Sequence, residues 1–311
     1  MVRYIFRYGL YHKIAEIQAL LTHNKIDDIS MPFDPGFARQ TLLPLAVHAY
    51  TEAGLPEDCE SLDTKVFNIV GKIEVDPARC MQVWSRLESE ARQAASPTDA
   101  ARANSMLSAV MADGHTFGYI ATHQNGGNTE TFVCFRGTHF LSEWLDDADL
   151  PLIDFRFRSN AGLAHMGFQA VYETVQQSIL DLLKKNQTQS LTILGHSLGA
   201  ALATICALDM SVSASAGHPP AHVFPIASPR VGDEAFRNTF DAVLPDCVRI
   251  VNKPDIVPHL PLPIDYTHVG VAAVIDSGFT LDLVFAHGLC EGYLRGLNRA
   301  IAAPARIAAF A

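Results

Sequence analysis

LTILGHSLGA, residues 191–200, decides the fold. Leu191, Thr192, Ile193 and Leu194 read as a short buried strand, and Ala200-Ala201-Leu202-Ala203 opens a strong helix. Gly195-His196-Ser197-Leu198-Gly199 must therefore make a sharp strand-to-helix turn. Glycine at each end removes side chains that would collide there, and the helix N-terminus brings a positive dipole end to the serine. The bare pattern G-x-S-x-G recurs by chance. Framed by a strand and an Ala-rich helix, it is the setting of a nucleophile elbow with Ser197 at its tip. The plainer reading is a tight turn with a hydroxyl helix cap. A serine hydroxyl is a poor nucleophile alone, so the chain must also supply a base, a group that orients the base, and donors for an oxyanion.

Around this stretch the chain alternates helix and strand. Helices are expected at 165–186, 198–214, 233–242 and 288–300, and strands at 191–195, 222–227, 247–252 and 268–275. That order predicts an α/β class with a mainly parallel sheet and helices on both faces. Upstream, 33–50 reads as a turn and an amphipathic helix, and 66–75 as a strand. Residues 77–112 read as two helices broken at Ala95-Ser96-Pro97, and 116–121 with 131–135 as a hairpin through the 125–128 turn. The basic, aromatic stretch 1–32 is expected to be a helical extension, because Ile14, Ile17, Leu20 and Leu21 share one helical face. It packs on the body or anchors at a membrane surface. The whole chain, 1–311, is expected to form a single domain.

Composition narrows the function classes. Of 311 residues, 49% are hydrophobic and 18% charged, enough for a large core. A formal charge of -10 gives no footprint for nucleic acid and no attraction to anionic membranes. The six cysteines, Cys59, Cys80, Cys134, Cys206, Cys247 and Cys290, form no close pair of the zinc or redox kind. No disulfide is expected, and Cys134 and Cys206 sit in apolar runs as core residues. Arg3, Arg7, His12, Lys13 and Glu16 interrupt the N-terminus too often for a secretory signal. The expected location is cytoplasmic or peripherally cell-associated, with non-classical secretion left open. No obligate protein partner is expected.

In an α/β hydrolase the acid and then the histidine follow the nucleophile in the chain. Asp255 lies just past the 247–252 strand, followed by the apolar Ile256, Val257 and Pro258. It is preferred as the acid over Asp265, Asp276 and Asp282. Of the later histidines, His287 lies in a loop before the last helix and is preferred as general base. His268 opens an apolar strand and is the alternative, and His259 follows Asp255 too closely. Leu198 N–H is one oxyanion donor. Thr138, after the strand Cys134-Phe135-Arg136-Gly137, offers a second, unless that segment is an ordinary strand-end turn. In a helix, Phe140, Leu141, Trp144 and Leu145 share one side, as in a lid or a surface helix packed on the core. His196 and His165 are expected to be structural, and Arg136 to pair with Asp147.

These segments together resemble the class 3 lipases, the fungal-lipase-like branch of the α/β hydrolases. The ordered motifs are FRGT at 135–138, WLDD at 144–147, HMGF at 165–168, GHSLGA at 195–200, SPRVGD at 228–233 and NKPDIVPHLP at 252–261. The likeness covers 33–50 and 116–296. It implies an α/β-hydrolase fold with a helical lid at 139–149. It also implies a triad of Ser197, Asp255 and His287, with Thr138 as the second oxyanion donor and His268 as a non-catalytic histidine. The implied activity is hydrolysis of acylglycerol esters at a lipid–water interface, with no cofactor and no metal. A carboxylesterase, a phospholipase A1 or a non-catalytic lipase-like binding protein are the alternatives. The helical insertion at 76–112, where the family runs quickly into its next strand, is expected either to pack harmlessly or to narrow the acyl cleft.

Overall fold

The computed structural model describes residues 33–55, 57–93, 102, 107–108, 111–112, 114–138, 150–186, 188–212 and 221–302. The expected N-terminal helix, the lid with Phe140, Leu141, Trp144 and Leu145, Asp147 of the expected ion pair, and most of 94–113 lie outside them.

Seven strands form the main sheet. They are β1 Asn68–Glu74, β2 Thr116–Asn125, β3 Asn128–Phe135, β6 Ser190–His196, β7 Ala221–Ile226, β8 Val248–Asn252 and β9 Val271–Ile275, in the spatial order β1-β2-β3-β6-β7-β8-β9. The first three pair antiparallel; from β3 to β9 every pairing is parallel. The short strands β4 Leu152–Asp154 and β5 Leu163–His165 form a separate antiparallel pair that the sequence reading did not foresee. At three residues each they carry too short a pattern to read.

Each face of the sheet buries its own core. Helix α1, Leu43–Glu52, covers one face with Leu45, Ala46, Ala49 and Tyr50. A short helix, Pro35–Phe37, leads into it through the π-helical turn Ala38–Leu42; Asp34 caps that helix by accepting from Gly36 N–H at 2.8 Å, with Pro35 in its first turn. The other face carries α2 Pro77–Gln93, α3 Met166–Leu183, α4 Leu198–Val212 and α5 Glu234–Val243, packed through Val83, Val171, Ile205 and Phe240 among others. Helices α6 Leu283–His287 and α7 Leu294–Ala302 end the described chain, and Leu297 of α7 joins the α1 core.

Three expectations need correction. His268 precedes β9 rather than opening it, because Gly270 turns the chain at φ +58° before the strand starts at Val271. His287 ends a short helix rather than lying in a loop; Asp282 caps that helix by accepting from Val284 and Phe285 N–H. A disulfide joins Cys59 to Cys290, whose Cα atoms are 5.5 Å apart across 231 residues of sequence. Sequence spacing carries no signal of such a pair, since the fold alone brings the loop after α1 to the π-helical segment Leu289–Tyr293.

The insertion is held by charge. Glu173 of α3, nearly buried, receives Arg79 Nη2 at 2.8 Å and Arg86 Nη1 at 2.8 Å, both from α2, with Arg156 Nη1 at 4.0 Å. Arg86 also grips the second carboxylate oxygen, a two-point fork. Burial alone would raise the Glu173 carboxyl, but the hydrogen bond from Arg86 and the charges of Arg86, Arg79 and Arg156 outweigh it and hold the group below its usual value.

Candidate active site

The elbow forms as the sequence pattern requires. β6 ends at His196, Ser197 turns with φ +60°, and α4 starts at Leu198. A non-glycine residue in this left-handed region is a strained conformation, and strain of this kind gathers at functional sites. Neighbouring backbones hold it: Ser197 N–H donates to Ile226 O at 3.0 Å, and Ala200 N–H to Ser197 O at 2.9 Å. Gly195 and Gly199 meet backbone to backbone, so that a methyl on Gly195 would strike the Gly199 carbonyl. Ser197 Oγ is buried and makes no hydrogen bond among the described residues. Leu198 is the first residue of α4, so its N–H precedes the helical ladder and points toward the elbow end of the helix.

The FRGT turn passes against the elbow. A methyl on Gly137 would lie 2.9 Å from Ser197 Cβ, so Thr138, nearly buried, follows directly beside the serine. Gly137 N–H donates to the Tyr50 hydroxyl at 3.0 Å. Arg136 is fully buried and donates to Thr116 O at 2.7 Å and Gly137 O at 2.7 Å.

Asp255 sits past the end of β8, fully buried and rich in donors. His287 Nδ1 lies 3.0 Å from Oδ2 and 3.1 Å from Oδ1; Tyr293 O–H donates to Oδ2 at 2.7 Å and Val257 N–H to Oδ1 at 3.0 Å. A carboxylate only accepts, so His287 Nδ1 carries a proton and donates to Asp255. Burial, and next the Asp255 charge, push the Tyr293 phenol well up, so it stays a donor. Asn252 at the end of β8 fixes the partner segment: its Nδ2 donates to Ser277 Oγ at 2.9 Å and Ala286 O at 2.8 Å, and its Oδ1 accepts from Ser277 N–H at 3.0 Å.

His196 joins the two halves. Its Nδ1 lies 2.7 Å from the Tyr50 hydroxyl and its Nε2 2.9 Å from His287 O, with the two imidazoles 4.7 Å apart. A carbonyl accepts, so Nε2 carries the proton and Nδ1 receives the Tyr50 O–H. Burial first, and the His287 charge second, hold His196 well below the usual histidine range, so it stays neutral.

The structure thus brings Ser197, Leu198, Thr138, Asp255 and His287 to one end of the sheet. The other histidines are engaged elsewhere. His268 Nε2 lies 2.6 Å from Pro258 O, and burial, then Arg249 and Arg230, keep it neutral. His259 is lowered to about 4 by burial and next by Arg230. His165 caps α3, its Nδ1 accepting from Phe168 N–H at 3.2 Å. Asp276 and Asp282 serve loop and cap bonds. Tyr50, Asn252 and Tyr293 were not foreseen. Tyr293 follows His287 by six residues, but nothing local in the sequence separates such a tyrosine from a core residue.

Comparison with known proteins bears on the family resemblance and the fold. Residues 132–264 match the family model described as lipase (class 3). Phospholipase A1-II 1 of Oryza sativa subsp. indica is 35% identical over 176 residues, which is 49% of this chain and 44% of that protein. The secreted mono- and diacylglycerol lipase A of Penicillium cyclopium is 34% identical over 164 residues, 50% of each. The chain spans about half the length of these curated relatives. A solved triacylglycerol lipase, whose catalytic centre is formed by a serine protease triad, superposes with a TM-score of 0.54 over 77% of this chain and 79% of that one, at 22% identity. At that identity it supports the α/β-hydrolase fold alone. The chain is thus similar to the class 3 lipases over 132–264, and its fold is that of an α/β hydrolase.

Proposed function

We propose that this chain is a serine ester hydrolase that cleaves acylglycerol esters. The observation that carries this reading is the Asp255–His287 pair at 3.0 Å, held beside the Ser197 elbow through His196. Ser197 Oγ attacks the ester carbonyl as His287 Nε2 takes its proton. Asp255 holds Nδ1 and balances the imidazolium. The N–H groups of Leu198 and Thr138 receive the oxyanion, aided by the N-terminus of α4. His287 then returns the proton to the leaving alcohol, and water repeats the sequence to free the fatty acid. Nothing in these steps calls for a metal or an organic cofactor.

A fluorophosphonate probe with peptide mapping tests the nucleophile. Labelling at Ser197 with ester turnover supports the reading; folded protein that neither labels nor hydrolyses esters defeats it. The similarity to a rice phospholipase A1 favours a second reading in which the ester belongs to a phospholipid. Parallel assays on acylglycerol and phospholipid separate the two. We also infer an oxidising compartment, a reading that differs from the cytoplasmic expectation and is supported by the Cys59–Cys290 bond. Thiol counting on denatured protein from its native source checks it: four reactive thiols are expected, and six would overturn it.

A further inference from the structure

Arg249, in the middle of β8, is 8% exposed. Its Nε donates to Val269 O at 2.7 Å, and neither of its Nη groups has a partner among the described residues. The residue before Val269, His268, donates from Nε2 to Pro258 O at 2.6 Å. The residue after Pro258, His259, offers its carbonyl to Arg230 Nη1 at 2.6 Å, and Pro261 O accepts from the same nitrogen at 2.6 Å. One run of contacts thus leads from Arg249 across the 258–269 segment to Arg230, and the charge of Arg249 acts on Arg230 directly. Arg230 Nε and Nη2 also have no partner among the described residues.

The hydrogen-bond partners of both guanidiniums are carbonyl oxygens. A carbonyl supplies a dipole and not a countercharge, and a buried cation without a countercharge is costly. Burial lowers Arg249 to about 10, and burial, then Arg249, lower Arg230 to about 10, so both are cations at neutral pH. His259 and His268 are held neutral, and so is the Cys247 thiol, which burial pushes up to about 12. Asp241 of α5 is the carboxylate whose charge reaches Arg249. It makes no ion pair there among the described residues, and its Oδ1 accepts from Gly270 N–H at 2.7 Å. Arg237, one turn before Asp241, faces Glu234 at 3.7 Å. The charge of Asp255 reaches His259 but neither arginine.

We propose that Arg230 and Arg249 form a binding site for a small soluble oxyanion of the phosphate type, either inorganic phosphate or the phosphoryl end of a small monoester. A guanidinium is a planar fork of N–H donors that matches the oxygens of such a group two at a time. Arg249 offers its Nη groups and Arg230 offers Nε and Nη2, so the anion meets donors from two strand connections at once. It supplies the countercharge that the carbonyls do not. Arg249 is nine-tenths buried, which suits a small free anion and not a headgroup tethered in a membrane. A bound anion ties the 258–269 segment to β8, at whose end Asp255 stands. The site lies apart from Ser197 and does not depend on the ester-hydrolase reading.

Equilibrium dialysis of the full chain against radiolabelled inorganic phosphate, with ionic strength fixed by chloride, measures the site. Saturable binding at one phosphate per chain is expected. At ten times the dissociation constant, phosphate should shift the folding equilibrium about elevenfold toward the native state, a rise in thermal midpoint that chloride of equal ionic strength does not give. Arg249→Gln should weaken binding at least about tenfold, the cost of a lost charge-assisted bond. Arg230→Gln, at a less buried position, should do the same and decides the matter if Arg249→Gln does not fold. Lys184→Gln, at an exposed lysine at the end of α3, should bind as wild type does. Glycerol 1-phosphate should compete with phosphate, and vesicles containing phosphatidic acid should not. Absence of saturable binding, or binding that survives the arginine substitutions in folded protein, overturns the proposal. Vesicle binding that requires the two arginines overturns the soluble source. Fluorophosphonate labelling of Ser197 is expected to be the same in Arg230→Gln as in wild type, so failure of the anion site and failure of the esterase reading are seen separately.

Discussion

His196 Nε2 lies 2.9 Å from the carbonyl oxygen of His287, across 91 residues of sequence. The residue before the proposed nucleophile therefore holds the backbone of the proposed base. Its other nitrogen meets the Tyr50 hydroxyl at 2.7 Å, which in turn accepts from Gly137 N–H at 3.0 Å. One run of polar contacts thus spans the oxyanion turn, α1, the elbow and the end of α6. Each member is buried, so each broken link leaves an unpaired group.

Tyr50→Phe removes one hydroxyl and leaves Gly137 N–H and His196 Nδ1 without their partner. The expected loss is about 1–3 kcal/mol of stability, the cost of buried groups left unsatisfied. Because both ends of the run touch the reacting region, kcat should fall about tenfold with KM little changed, the signature of a contact felt in the transition state. Urea unfolding and steady-state turnover of a soluble ester measure the two effects. A stability loss with kcat intact would confine the run to a packing role.

The histidine assignments separate by mutation. Ser197→Ala and His287→Ala should each lower turnover at least about 10⁴-fold. His268→Ala should keep most activity, because its Nε2 is committed to Pro258 O. It should instead cost about 1–3 kcal/mol through the orphaned carbonyl. The opposite pattern would move the base to His268.

Glu173→Gln should loosen the α2 insertion in a pH-dependent way. The Glu173 carboxyl is held below its ordinary value by Arg86, Arg79 and Arg156 against the pull of burial. A lowered folded value means stabilisation present above the unfolded value and lost as pH falls through the folded one. The variant should be about 2 kcal/mol less stable than wild type at neutral pH, a figure reduced for the exposure of the arginines. That gap should close in acid below the usual glutamate range. Equal unfolding midpoints at neutral pH would show that the arginines do not hold α2.

Reduction of Cys59–Cys290 should lower stability by about 3–5 kcal/mol, the loop-entropy estimate for a long closed loop. Cys59→Ser with Cys290→Ser should match the reduced protein. Cys290 sits three residues past His287, so turnover should fail at the same lowered midpoint. A urea midpoint unmoved by dithiothreitol would contradict this.

What the sequence disclosed followed from periodicity and local turn chemistry. The strand–elbow–helix, the 125–128 hairpin turn and the alternating elements after residue 160 all appear within a few residues of their expected places. The placement of Ser197 and Asp255 was legible because both stand at strand ends beside apolar runs. His287 was legible by chain order, but its helix was not, because five residues with an Asp282 cap give too short a pattern. Tyr50, Asn252 and Tyr293 were not legible. Each sits in an apolar stretch and acquires its partner only when distant segments fold together, as did the partner of Cys59.

The disulfide has a topological consequence. Cys59 and Cys290 close a covalent ring that contains Thr138, Ser197, Leu198, Asp255 and His287, and leaves Tyr50 and α7 outside it. A single protease cut anywhere between residues 60 and 289 opens that ring without releasing a fragment. Where the cut falls between Ser197 and His287, the pieces bearing the serine and the histidine stay joined through sulfur until a thiol reductant frees them.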